Sequence, residues 1–587
     1  MEKTMARGGE FVLPSSKLPD IFTVSDFTQE QLMVRDTVRN FVANEIMKDD
    51  KIVKRIESKD WGFSRELLKK LADLGLLGAE IPEEYGGQGL DKVMGAIIAE
   101  EIAKQGSFAC TFLAHTGIGT LPIRFFGTEE QKRKYLPKLT SGEWVSAYSL
   151  TESRAGSDAN GANAEAVETD GGFVLNGEKT FVTNGGFADL FIVFAQLKEY
   201  EGGPNWKKIG LTAFLVEKSS PGLVIGAEEH KMGICGSSTA TIVLNNVLVP
   251  RENLLGEAGK GFKIALNILN LGRFKLAAAS LGAGKLGFTQ ALKYSQERKQ
   301  FGKSINSFGA IRRKLAEMAA LNYAMEAVVY RTAGHLEEAI GSVDVNDSRA
   351  VLKAIEEFVV ECSLVKVFCS EANGRIADEN VQIHGGYGFC EGNPERQYRD
   401  SRINRIFEGT NEINRLLAVG MLLRKAATGS LPLMQTIKQV VGESMSPSAQ
   451  MEPEDVVERL TYYLNNAKKV VLLAAGSAYE RFGKELEEHQ ILLTALSDCL
   501  IAVYVMESSL AALAKNRKDA NEDLVRIIFN DAMFETERLV KEIIVMCSSG
   551  DVQRTALAMV RRLLKFTPEN KEELCNKIAS NFGGVRK

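Results

Sequence analysis

The residues best suited to chemistry lie in one stretch, Val381 to Arg415 (VQIHGGYGFCEGNPERQYRDSRINRIFEGTNEINR). At its centre a single acid sits in Ile406-Phe407-Glu408-Gly409-Thr410. Apolar residues before Glu408 and a glycine after it predict partial desolvation. Desolvation raises a carboxylate's pKa and makes it a usable base near neutral pH. Gly409 leaves room for a ligand to approach the backbone. Upstream, Gln382-Ile383-His384-Gly385-Gly386-Tyr387-Gly388 places three glycines in four positions of an otherwise helical pattern, where main-chain N–H groups can meet phosphate. A buried structural glutamate beside a flexible turn fits the spacing alone equally well.

The elements that must position these residues follow from periodicity. After an arm over residues 1–27, Thr28 and Gln31 form a capping-box pattern and Val34, Val38, Phe41 and Ile46 an amphipathic stripe. Further helices are predicted over Ser64–Leu74, Asp91–Lys104 and Glu129–Leu139, giving an all-helical unit over 28–147. Near Trp144 the pattern turns to alternation. Phe173–Leu175 and Lys179–Val182 read as a hairpin closed by a type I′ turn at Asn176-Gly177. Strands over Leu190–Gln196, Leu211–Glu217 and Thr239–Leu248 complete a β-unit over 148–255. Long helices over about 261–299, 308–340, 346–380 and 400–424 predict a bundle over 256–425. Residues 426–451 read as a linker with one short amphipathic piece. Residues 452–587 read as a helical extension with breaks near Glu487, Asp519, Gly550 and Pro568. The fold class is α+β, mainly α: a helical domain, a β-domain, a four-helix bundle and an extra helical domain. Gly282-Ala-Gly284-Lys-Leu-Gly287 matches a dinucleotide fingerprint, yet it lies within a helical run with no strand before it, so close helix packing is its better explanation.

Composition excludes several classes. The chain has 587 residues, 45% hydrophobic and 25% charged, as in ordinary globular proteins. Lys plus Arg at 72 against Asp plus Glu at 76 gives net −4, so no global field favours nucleic acid or anionic membranes. Eight scattered cysteines with no CxxC pair predict reduced thiols and no metal site. No run approaches 18 uninterrupted apolar residues, which argues against a spanning helix. The N-terminal residues carry neither a secretory signal nor a convincing transit peptide, so a cytoplasmic protein of bacterial type is expected ahead of a mitochondrial matrix one.

The Val381–Arg415 stretch resembles the C-terminal signature of the acyl-CoA dehydrogenases, flavoproteins that place a double bond between Cα and Cβ of a fatty acyl-CoA. The resemblance recurs in order at Ala147–Asp158 (AYSLTESRAGSD), Gly177–Asp189 (GEKTFVTNGGFAD), His230–Ala240 (HKMGICGSSTA) and Glu297–Gly302 (ERKQFG). It covers roughly residues 28–425, and the chain beyond looks like the long and very-long-chain branch.

The resemblance implies FAD as cofactor and Glu408 as the base. Tyr148, Leu150, Thr151, Ser157, Phe181 and Thr183 would hold the flavin and its pyrophosphate, together with Thr410 and Glu412. Arg298, Phe301, Gln382, Gly385 and Gly386 would reach the FAD of a neighbouring chain, so a homodimer is implied. Phe407, Gly409, Asn270 and Arg273 would contact substrate, the last two on its CoA side, although simple helix polar residues explain that pair as well. Some branches place the base where this chain has Gly272, which cannot serve. Three residues depart from the family pattern: Ser153 for a proline, Phe181 for a tryptophan and Cys235 for an arginine or lysine. Gly117, Gly119 and Pro122 would make a thin, broken helix beside the acyl cavity and favour long chains. Acyl-CoA and an electron-transfer flavoprotein are the implied partners. An acyl-CoA oxidase and a non-catalytic scaffold on the same fold are the alternatives. The extension would cover the face through which shorter members form tetramers. A competing use is weak peripheral membrane contact through LPLMQTIKQVV.

Overall fold

The computed structural model describes residues 5–202, 205–445 and 452–582. It is mainly helical with one central sheet. Seven helices come first: α1 (Gln29–Phe41), α2 (Asp50–Glu57), α3 (Trp61–Asp73), α4 (Lys92–Ile102), α5 (Gly106–Leu113), α6 (Leu121–Phe126) and α7 (Glu129–Thr140). Thr28 and Gln31 close the capping box on α1, each side chain meeting the other's backbone N–H. Every residue of α4 is buried, charged ones included. Its Lys92 meets Glu80 at 2.5 Å, and Glu80 also pairs with Lys275. Buried without such partners, each charge would cost several kcal/mol.

The sheet holds β1 (Ser146–Ser149), β2 (Glu165–Thr169), β3 (Gly172–Thr183), β4 (Leu190–Gly202), β5 (Asn205–Glu217), β6 (Leu223–Glu228), β7 (Thr239–Val249) and β8 (Leu254–Leu255). Its order is β6-β7-β3-β2-β4-β5-β8, with β1 parallel to β4. The hairpin expected at Asn176-Gly177 is not there. β3 runs straight through both residues, and the turn lies at Asp170-Gly171 between β2 and β3. Gly177 takes φ +138° at a register shift against β7, where a Cβ would come within 2.8 Å of Ala164. Its glycine therefore serves a bulge and not a turn.

The second helical region holds α8 (Gly261–Glu297), the two-stranded β9 (Lys299–Gln300) and β10 (Lys303–Ser304), α9 (Gly309–Gly341), α10 (Ser348–Glu357), α11 (Val359–His384), α12 (Gly386–Phe389), α13 (Asn393–Ser401) and α14 (Asn411–Ala427). The glycine fingerprint lies inside α8 and serves packing: a Cβ at Gly282 would lie 1.8 Å from the Glu100 carbonyl, and one at Gly284 would lie 2.7 Å from Met325. The single helix expected over 400–424 is two. Glu408 and Gly409 take left-handed φ values of 59° and 78°, and Thr410 caps α14 by accepting the Ile413 N–H.

The extension holds α15 (Leu433–Met445), α16 (Val456–Phe482), α17 (Gln490–Lys515), α18 (Asp519–Cys547), α19 (Gly550–Leu563) and α20 (Lys571–Asn581), and it packs on α9 and α14. At the seam Glu507 accepts from Arg331 at 2.7 Å and from Lys468, while Tyr504 and Thr332 share a hydrogen bond of 2.9 Å. The arm crosses this seam, with Gly9 N–H donating to Glu361 and Phe11 against the Tyr504 ring. Leu431, Leu433, Ile437 and Val440 are buried, so LPLMQTIKQVV has spent on the bundle the apolar face that membrane contact would need. Among the described residues one helix, α17, is long and apolar enough to cross a membrane, contrary to the sequence expectation, but 78% of its apolar window is buried within the protein.

Candidate active site

Glu408 sits on the left-handed turn between the 3₁₀ segment Arg402–Arg405 and α14. A non-glycine residue there costs roughly 1–3 kcal/mol and persists only where its surroundings over-determine it. Here they do. The Glu408 carbonyl accepts from Arg273 Nε at 3.3 Å and Asn414 Nδ2 at 3.4 Å, and the Gly409 carbonyl from Lys366 Nζ and Asn414 Nδ2, both at 2.8 Å. The Thr410 carbonyl accepts a third bond from Asn414 at 3.0 Å.

The carboxyl group lies over Gly272 of α8, where any Cβ would meet Oε2 at 2.4 Å. Gly272 is thus the space that the acid occupies. Oε2 is enclosed, with no hydrogen-bond partner among the described residues. Burial pushes the carboxyl up to about 7, against the opposing charges of Arg273 and Lys366. A desolvated acid near neutral pH with an uncommitted oxygen has the properties of a general base.

A second group of residues gathers at the ends of β1 and β3. Thr180 N–H donates to the Thr151 carbonyl at 2.9 Å, and buried Lys179 joins the Leu150 carbonyl and Glu152 at 3.1 and 2.7 Å. The ladder shifts register between Lys179 and Val182, and within that bulge Phe181 takes φ 55° and stands 63% exposed. Thr183 ends β3 part-buried and Ser157 is exposed. The hydroxyls of Tyr148, Ser149 and Thr180 are buried without partners among the described residues. Burial, then the charge of Glu408, holds the Tyr148 phenol well above its usual range. An exposed ring beside unpaired hydroxyls fits a planar heteroaromatic ligand with polar edges, so these residues are compatible with a flavin. The loop that carries Ser153 is held in place, because Glu152 and Ala155 pair both ways through their backbones and the Glu152 carboxylate accepts from the Asn163 and Ala164 N–H groups.

A third group lies where α8 meets β9 and α11 meets α12. Phe301 is 92% exposed with φ 50°, and Arg298 lies 6.0 Å over the Tyr387 ring. Gln382, Gly385 and Gly386 are exposed, and a Cβ at either glycine would meet nothing within 4 Å. Glu412 is exposed on the first turn of α14, and Thr410 is its cap.

Phe407 lines an open cleft between α5, α8 and α13, with Cys110, Leu113, Ile234 and Asp400 among its walls. Asp400 accepts from the Ile234 N–H, and its burial raises it to about 7. Leu113 also lines a small pocket of about 20 Å³, room for about one water, with Phe112, Thr116 and Lys275. Two expectations change. Asn270 and Arg273 are buried and bonded to each other at 2.7 Å beneath the Glu408 turn, so they brace it and do not line the cleft. The helix does not break after Leu113 but widens into a π-helical stretch, Ala114–Gly119, and a Cβ at Gly119 would fall 2.3 Å from Ser146 Oγ, so this glycine opens no space for a chain. At Cys235, Arg399 from another element lies 3.8 Å from the sulfur and donates to the Met232 carbonyl at 2.8 Å, so a cation stands beside this position.

Sequence reasoning missed Lys366, Asn411 and Asn414. A lone lysine inside the apolar run Ser363-Leu-Val-Lys366-Val-Phe-Cys369 was the available signal for the first.

Comparison with known proteins places the chain by domain. The acyl-CoA dehydrogenase N-terminal, middle and C-terminal domains match residues 28–143, 147–247 and 259–422, and a further acyl-CoA dehydrogenase C-terminal domain matches 466–562. A probable acyl-CoA dehydrogenase of Bacillus subtilis is 44% identical, over 96% of this chain and 95% of its own. The human very long-chain specific mitochondrial enzyme is 36% identical, over 77% of this chain and 70% of its own. Among solved structures, an acyl-CoA dehydrogenase complexed with FAD from Bacillus anthracis superposes with TM-score 0.93 at 43% identity, covering 98% of both chains. Butyryl-CoA dehydrogenase from Megasphaera elsdenii gives TM-score 0.59 at 36% identity, covering 68% of this chain and 99% of that one. The chain belongs to the acyl-CoA dehydrogenase family.

Proposed function

We propose that this protein is an FAD-dependent dehydrogenase of long-chain acyl-CoA thioesters, forming the trans-2-enoyl product of fatty-acid β-oxidation, with Glu408 as the base. The observation that carries this reading is the enclosed, unpartnered Glu408 Oε2, held near neutral pKa over Gly272 on a turn whose carbonyls are all tethered. The α-proton of a thioester is weakly acidic, so its removal needs both a base and polarisation of the carbonyl oxygen. Glu408 Oε2 takes the proton, and the family resemblance gives the N–H of the same residue to the carbonyl. Leu150, Thr151, Ser157, Phe181 and Thr183 would hold FAD, whose chemistry is to accept the hydride leaving Cβ. Arg298, Phe301, Gln382 and Gly386 would complete the site of a partner copy, which accounts for an aromatic left as exposed as Phe301.

Long-chain preference is supported by the likeness to the very long-chain enzyme. An electron-transfer flavoprotein is the proposed acceptor and the cytoplasm the proposed compartment, in keeping with the Bacillus relatives. Anaerobic titration of the yellow protein with C4 to C20 acyl-CoA, followed by reoxidation with oxygen or with an electron-transfer flavoprotein, tests the reading. Bleaching that strengthens with chain length and reverses faster with the flavoprotein is expected. Fast reoxidation by oxygen would make the protein an oxidase, and absence of bleaching would leave a scaffold.

A further inference from the structure

A continuous line of hydrogen bonds leads from the Glu408 turn to the C-terminal extension. Lys366 Nζ, fully buried on α11, donates to the Gly409 carbonyl at 2.8 Å and to Asn411 Oδ1 at 2.7 Å. Asn411 Nδ2 donates to Glu371 Oε1 at 2.9 Å. Arg415, one helical turn along α14, grips both oxygens of Glu371 at 2.9 and 3.0 Å, and its remaining Nε donates to Asp498 Oδ1 at 2.7 Å. Asp498 is on α17, outside the bundle that carries the base.

We infer that Arg415 and Asp498 are positioning residues for the reaction, fixing Asn411 and Lys366 and through them the turn that aims Glu408. This rests on the reading of Glu408 as the base. The physical reason lies in the amide. Asn411 presents its oxygen to the Lys366 ammonium only while its NH₂ faces Glu371, because an amide has one acceptor side and one donor side. Glu371 is 39% exposed and would be free to swing, but the two-pronged Arg415 contact fixes it, and Asp498 fixes the fork of Arg415. Without that chain the amide can turn its donors toward a buried cation, and the Gly409 carbonyl loses a tether on a backbone that is already strained. The charged groups facing Lys366 are Glu408, Arg273, Glu412 and Glu371, so its orientation matters to the base directly. The extension therefore acts on chemistry as well as covering the bundle.

The test uses the full-length FAD-loaded protein, with anaerobic flavin reduction by a long-chain acyl-CoA as readout. Arg415→Met should slow reduction by about 10²-fold and Asp498→Asn by about 10-fold, the scale of a base misplaced by up to about 1 Å, with FAD content and substrate KM nearly unchanged. Lys577→Met, an exposed pair on α20, should change nothing. In a Glu408→Gln background neither substitution should slow the reaction further, because residues acting through one group are not additive. Losses that multiply in the double variants, or a wild-type rate in Asp498→Asn, would overturn the inference. Asp498 is part-exposed, so its variant keeps the test open if Arg415→Met fails to fold. A normal rate in Glu408→Gln alone would sink the base reading and this inference together, whereas a slow Glu408→Gln beside a normal Asp498→Asn would sink only this one.

Discussion

Gly272→Ala separates chemistry from stability at one atom. A Cβ on Gly272 would lie 2.4 Å from Glu408 Oε2, 2.7 Å from Cδ and 3.1 Å from Oε1. An ordinary carbon contact needs about 3.5 Å, so the carboxyl must retreat by about 1 Å. That movement is cheap, because it is the end of a flexible side chain that gives way. Within α8 the new methyl should stabilise the helix, by roughly 0.5–1 kcal/mol relative to glycine. The same retreat moves the reacting oxygen, and a 1 Å misplacement can cost about 10²-fold in rate. The variant should therefore keep or gain a degree or two in melting temperature and lose about two orders of magnitude in flavin reduction, measured by stopped flow at saturating acyl-CoA. A wild-type reduction rate would show that the oxygen over Gly272 is not the one that takes the proton.

Other outcomes follow from the same geometry. The native Glu408 carboxyl holds a proton that the unfolded chain gives up at 4.5. Its contribution to stability is therefore full below about 4.5 and is lost as pH rises through about 7. The difference in melting temperature between wild type and Glu408→Gln should show this loss, worth about 3 kcal/mol, while the rate of flavin reduction rises over the same range; a rate independent of pH between 5 and 8 would contradict it. Each CH₂ removed from water is worth about 0.8 kcal/mol, so affinity should keep rising past C8 in wild type; an optimum at C4 to C6 would count against the long-chain reading. Arg298→Ala should lower FAD content and weaken the dimer together, because a ligand bridging two chains stabilises their association; full FAD content in a monomer seen by sedimentation would refute the coupling. Light scattering should find the intact chain dimeric, with the extension covering α9 and α14, and a stable intact tetramer would overturn that arrangement.

Much of the helical framework was legible because caps and stripes are local: Thr28 with Gln31 appears as a sequence pattern that backbone chemistry enforces at the start of α1. The misread turn at Asn176-Gly177 shows the limit of that locality. Both dipeptides, Asn176-Gly177 and Asp170-Gly171, carry the same turn chemistry, and only the pairing of β3 with β2 and β7 decides which one bends. Glu408 stood out through its own flanks. Its supports did not, because Gly272, Arg273, Lys366 and Asn414 come from three helices, and their roles exist only once α8, α11 and α14 meet. Gly119 failed as a chain-length signal for a related reason: a small residue makes space or lets a neighbour approach, and Ser146 had taken the space.

The central claim is that Glu408 removes the α-proton, and single-turnover flavin reduction in Glu408→Gln tests it most directly. The substitution keeps the shape of the side chain and removes its basicity. The variant should remain yellow, bind acyl-CoA, and reduce its flavin at least roughly 10²–10⁴-fold more slowly than wild type, the loss typical of a missing acid–base group. Reduction at close to the wild-type rate would contradict the account.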